Sequence, residues 1–178
     1  KKDFDIVFLT AKNNYKKLLH QAKIFNVKNL IITDKISYSK AIKQNQNNKI
    51  KIFNNFKSFN LIIKNKLDYV MSSISGLDGL FPTFKIIKFT KKIAIANKET
   101  IICAWPLLKK ELIKNNTMFV PVDSEHFSLW QEIKNLNTNE IKKIYLTASG
   151  GPLLNKSIKS FKKTNLKTIL KHPTWLMG

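Results

Sequence analysis

Ile93-Ala94-Ile95-Ala96-Asn97-Lys98-Glu99 and, one amphipathic stretch later, Met118-Phe119-Val120-Pro121-Val122-Asp123-Ser124-Glu125-His126 decide the fold. Each opens on a short, continuously apolar run of strand length and turns polar where that run ends. The intervening 104–115 reads as a helix. A strand apolar on both faces, followed by an amphipathic helix and another such strand, is the unit of a parallel sheet covered on both sides.

The same alternation extends outward in both directions. Strands are expected at 5–10, 30–33, 49–53, 69–72, 93–96 and 118–122, with a longer one at 141–149. Helices are expected from Asn13 or Asn14 through Phe25, and at 34–44, 76–89, 104–115 and 127–136, with a short one near 166–170. A further helix follows the third strand, its apolar set being Phe56, Phe59, Leu61, Ile62 and Ile63. Pro82 falls near a helix start, where proline is tolerated. The expected fold is α/β, a doubly wound parallel-sheet (Rossmann-like) domain over 1–122, followed at 123–178 by the beginning of an α+β domain. Ligands in such folds sit beyond the carboxyl ends of the strands, near the topological switch point. The residues just after each strand are therefore the candidate site.

Composition bounds the possibilities. The 178 residues and 43% hydrophobic content suit a globular chain with a substantial core. No apolar run approaches a membrane span, and no signal-peptide core follows the first residues. Cys103 stands alone, which excludes an internal disulfide, fits a cytoplasmic location, and reads as a small buried apolar residue. The net charge of +21 raises the question of nucleic acid. Every basic side chain, however, is Lys, and base reading leans on arginine's planar fork. The lysines are scattered and read as a solvated surface that retains some pull on phosphorylated small molecules. Both ends of the chain are expected to be cuts.

Asp123 and Glu125 stand two apart after a strand. If the extended backbone continues, both carboxylates point the same way and suit Mg²⁺ or Mn²⁺. The competing reading is a helix start, with Asp123 or Ser124 as cap and Glu125 in the first turn. His126 is assigned to pocket shape and not to metal. Ser149-Gly150-Gly151 reads either as a loop whose amides approach an anion or as a tight turn. On their own, His172 reads as a satisfied loop histidine and Trp175 as a core anchor.

Taken together, Ala96-Asn97-Lys98-Glu99, Pro121 to His126, Leu146-Thr147-Ala148-Ser149-Gly150-Gly151-Pro152 and the closing His172-Pro173-Thr174-Trp175-Leu176-Met177-Gly178 resemble the 1-deoxy-D-xylulose 5-phosphate reductoisomerase family. Thr10-Ala11-Lys12-Asn13 resembles that family's second cofactor loop, with Ala11 in place of the usual Gly. Phe127 and Leu153 are further departures.

The resemblance implies NADPH- and divalent-metal-dependent conversion of a phosphorylated ketose to 2-C-methyl-D-erythritol 4-phosphate in non-mevalonate isoprenoid biosynthesis. It implies metal ligation by Asp123 and Glu125, and substrate contacts from Lys98, Ser124, Glu125, Ser149, His172 and Trp175. Lys98, Asp123 and Glu125 would be the catalytic residues. Ala11, Lys12, Asn13, Asn97, Glu99, Met177 and Gly178 would contact NADPH, with Lys12 a partner for the 2′-phosphate. A phosphorylated small molecule is the expected partner and a homodimer the expected assembly of the full-length protein, with no nucleic acid and no membrane. The first strand with its Gly-rich loop and the third metal carboxylate are not found here, so these residues alone are expected to be inactive. The competing classes are a metal-free Rossmann-type oxidoreductase and a basic nucleic-acid-binding module.

Overall fold

Apolar runs bounded by polar turns become strands when a neighbour can pair with them, and six do so in the computed structural model, which describes residues 4–45, 49–147 and 151–171. Strands β1 (Phe8–Ala11), β2 (Asn29–Ile32) and β3 (Lys51–Phe53) form one sheet in that order, all parallel. Strands β4 (Val70–Ser72), β5 (Lys92–Ile95) and β6 (Met118–Pro121) form a second, with β4 and β5 parallel. Leu30, Ile31, Ile32, Ile93, Ala94 and Ile95 are essentially inaccessible, as expected of strands covered on both faces.

Alternation along β2 divides the core. Leu30 and Ile32 pack with Leu18, Leu19 and Ala22 of α1 (Tyr15–Phe25) and Ala41 of α2 (Lys35–Gln44). Ile31 points the other way, into a larger cluster with Phe59 and Ile62 of α3 (Phe59–Ile62), Ile86 of α4 (Leu80–Ile86), Ile93 and Ile95. Helices thus flank the sheets on both sides. Asn14 and Asp34 cap α1 and α2 with side-chain oxygens.

Several expectations are corrected. The helix expected at 104–115 is α5 (Lys98–Lys114), which starts at the Asn97 cap and kinks at Ala104 (φ −136°, ψ 16°). Pro106 lacks an N–H and its ring crowds the preceding turn, so the kink had the look of a start. The helix expected at 76–89 is α4 flanked by 3₁₀ turns at Leu77–Gly79 and Ile87–Phe89. The helix expected after β3 is a 3₁₀ turn, Phe56–Ser58, leading into the single turn α3, and Leu61 points outward, 72% exposed. Cys103 is exposed, on the outer side of α5 beside Ile102.

The chain divides into two compact units, Lys1–Val120 and Pro121–Gly178. The second carries α6 (Ser124–Ile133), 3₁₀ turns at Thr138–Glu140 and Ile158–Lys163, and α7 (Leu166–Ile169). The strand expected over 141–149 does not form across its described part, 141–147, where Ile144, Tyr145 and Leu146 are exposed. A strand needs a partner edge, and none reaches it among the described residues. No helix among them is long and apolar enough to cross a membrane.

Candidate functional site

β1 and β4 are each the outer strand of their sheet, and both line one groove of about 440 Å³. Phe59 and Ile86 are part of its wall, and the loops that follow the two strands lie at its carboxyl-end mouth. Doubly wound folds take ligands beyond the carboxyl ends of their strands, so the loops at this mouth, and not the space between the strands, are the candidate site. Ala11 closes β1; Lys12 and Asn13 follow it and are exposed. The Lys12 ammonium lies 2.7 Å from a carboxylate oxygen of Asp78, in the turn that follows β4. That hydrogen bond and the Asp78 charge raise the Lys12 pKa above the ordinary lysine value.

The loop after β4 is shaped from a distance by Asn97, which is 3% exposed. Its side-chain oxygen accepts from the Thr100 amide at 2.7 Å and so caps α5. Its amide nitrogen donates to the carbonyls of Ile74 and, at 2.8 Å, Gly76. Gly76 has φ +68°, which an L side chain rarely adopts. At Gly79 a Cβ would collide with the Asn97 amide and the Ile74 carbonyl. Lys98 and Glu99 occupy the exposed first turn of α5.

Of the two readings of Asp123 and Glu125, the structure has the helix start and not the extended backbone. β6 ends at Pro121, Asp123 is the residue preceding α6, and Glu125 lies in that helix's first turn. Strand periodicity therefore does not set where the two carboxylates point. The Asp123 side chain is 16% exposed, with one oxygen 2.9 Å from the His126 Nδ1. Glu125 accepts a 2.7 Å hydrogen bond from the Ser124 hydroxyl. His126 thus touches a carboxylate, which orients it much as outer partners orient metal ligands. Two hard oxygen donors suit Mg²⁺ or Mn²⁺ chemically. The set is partial: no group of three or more His, Cys, Asp or Glu side chains fit to hold an ion occurs among the described residues.

Ser149, His172, Trp175, Met177 and Gly178 lie outside the described residues. Ser73, Ile74, Ser75 and Asp78, in the loop after β4, line the groove as well and are not among the expected site residues. The available signal was the rule already applied elsewhere, a strand ending in a polar, glycine-bearing turn.

Comparison with known proteins adds to this geometry. A family model described as 1-deoxy-D-xylulose 5-phosphate reductoisomerase matches residues 1–105, and one for the C-terminal domain of that enzyme matches 119–178. The chain is 57% identical to the reductoisomerase of Pelagibacter ubique (strain HTCC1062), over 99% of this chain and 46% of the relative. It is 36% identical to that of Clostridium acetobutylicum, over 98% of this chain and 46% of the relative. It therefore spans about half the length of the curated relatives it matches.

Among solved structures, the reductoisomerase from Zymomonas mobilis in complex with NADPH superposes with a TM-score of 0.79 at 29% identity, covering 89% of this chain and 42% of that one. A reductoisomerase in complex with NADPH, fosmidomycin and magnesium superposes with a TM-score of 0.77 at 30% identity, covering 99% and 46%. The fold is thus the Rossmann-like fold of those NADPH complexes.

Proposed function

The chain belongs to the 1-deoxy-D-xylulose 5-phosphate reductoisomerase family, and we propose that the protein carrying it converts 1-deoxy-D-xylulose 5-phosphate to 2-C-methyl-D-erythritol 4-phosphate, using NADPH and Mg²⁺ or Mn²⁺. The observation that carries this reading is the placement of Lys12 opposite the turn after β4, at the carboxyl ends of the strands, in a chain so similar to reductoisomerases along its whole length. In this reading 1–122 is the NADPH-binding domain and 123–178 opens the catalytic domain; the division into units near Val120 supports a boundary there.

Ala11, Lys12, Asn13 and Glu99 contact the dinucleotide, as do Met177 and Gly178. Asn97 serves it by holding the loop at 74–76 in place. Lys12 places an ammonium where the 2′-phosphate separates NADPH from NADH. Lys98, Ser124, Glu125, Ser149, His172 and Trp175 bind and enclose the substrate; Lys98 offsets negative charge on a substrate oxygen. Asp123 and Glu125 hold the cation, whose chemistry when bound is to polarise the substrate's oxygens. His126 and Ser124 keep those carboxylates oriented through the hydrogen bonds described above. The protein works as a cytoplasmic homodimer on a phosphorylated small molecule, without nucleic acid or membrane.

The facing edges of β1 and β4 also support a further parallel strand between them, joining the two sheets and bringing a Gly-rich turn to the groove's mouth. Slow hydrogen exchange of amides on both edges in the full-length protein is expected; fast exchange there would refute it.

The test of function is an assay of the full-length protein with 1-deoxy-D-xylulose 5-phosphate and NADPH, with and without Mn²⁺. Turnover that requires all three is expected. NADPH oxidation indifferent to chelation would favour a metal-free oxidoreductase instead.

A further inference from the structure

Lys12 is not idle while it waits for a ligand. It crosses the mouth of the groove to Asp78, 66 positions away in sequence, joining the segment after β1 to the turn after β4. Both side chains are largely exposed, at 69% and 63%, so the pair forms in solvent and breaks easily. Both residues also line the groove. A phosphate arriving at Lys12 meets a carboxylate already in place, and the two anions cannot share one ammonium at contact distance without repelling each other.

We infer that Asp78 competes with the cofactor's 2′-phosphate for Lys12 and so sets how tightly, and how selectively, the phosphorylated dinucleotide is held. The inference rests on the placement of Lys12 at that phosphate. Its consequence is specific. NADPH displaces Asp78 from Lys12, whereas NADH has no phosphate there and leaves the pair intact. Asp78 therefore weakens NADPH binding without affecting NADH to the same degree, and it provides a partner that recaptures Lys12 as the oxidised cofactor leaves.

The experiment measures the dissociation constants of NADPH and NADH for the full-length protein as wild type, Asp78→Asn, Lys12→Gln and the double variant. Asp78→Asn is expected to tighten NADPH by about two- to five-fold, the range of an exposed ion pair, and to leave NADH unchanged. In the Lys12→Gln background the Asp78→Asn effect disappears. If Asp78→Asn weakens NADPH, the carboxylate pre-orients Lys12 and the competition is wrong; equal shifts for both nucleotides overturn it too. If Lys12→Gln lowers the NADPH preference while Asp78→Asn moves nothing, the competition alone fails. If Lys12→Gln leaves that preference untouched, the placement of Lys12 fails and takes the competition with it.

Discussion

The side-chain amide of Asn97 donates to the backbone carbonyl of Gly76 across 2.8 Å, tying the start of α5 to the loop that follows β4. The same side chain also caps α5 at Thr100 and holds the Ile74 carbonyl, so its two polar atoms meet three partners in a buried setting. Asn97→Ala leaves those groups without it. A loss of about 2–4 kcal/mol in chemical denaturation is expected, the sum of a lost cap and two part-buried carbonyls left without this donor. NADPH affinity should fall as well, since the loop lines the groove. A change below about 0.5 kcal/mol would mean that other groups hold this loop.

Gly79 is packed too closely to carry a side chain. Gly79→Ala should destabilise the fold by about 1–3 kcal/mol, because the new methyl must displace the Asn97 amide and a backbone carbonyl. Gly151 has nothing within 4 Å of a built Cβ and serves as the control, with an expected effect near zero. Equal denaturation midpoints for the two variants would contradict this packing.

The α2 cap makes stability depend on acid in a defined direction. Asp34 accepts the Ser37 amide at 2.7 Å, and that hydrogen bond, helped by Lys12, lowers its pKa from the ordinary carboxylate value. A depressed folded-state pKa contributes stability that is complete above the unfolded value, about 3.9, and is lost as pH falls through the folded value. The stability difference between wild type and Asp34→Ala should therefore be constant from about pH 6 to 8 and narrow below about pH 4. A difference that widens in acid would show the sign to be wrong.

Much of the architecture is legible in the sequence because buried parallel strands are written as continuous apolar runs. Leu30-Ile31-Ile32 and Ile93-Ala94-Ile95 announce themselves locally. Other features depend on partners that no local pattern contains. The 141–147 segment has strand-like residues and no edge to join among the described residues. The start of α5 is hidden because Pro106 breaks the apolar rhythm eight residues after the helix's first residue, Lys98. At the site, the sequence marks Asn97 by its position after β5, but the commitment of its side chain to Ile74 and Gly76 exists only once β4 and β5 pair. Asp78 escaped notice for the same reason: its meaning comes from Lys12, 66 positions away, with three helices and three strands between them. For Asp123 and Glu125 two periodicities competed, and the helix starting at Ser124 overrides the extended alternation.

The pairing of Asp123 and Glu125 on one divalent cation is the central claim, and the affinity of the full-length protein for Mn²⁺, read by electron paramagnetic resonance, tests it most directly. Asp123→Asn and Glu125→Gln should each weaken binding by more than about a hundred-fold, beyond the roughly ten- to hundred-fold that the loss of an outer hydrogen-bond partner costs, while Glu132→Gln, farther along the same helix, leaves it unchanged. Mn²⁺ binding that is the same in all three variants and the wild type would contradict the claim.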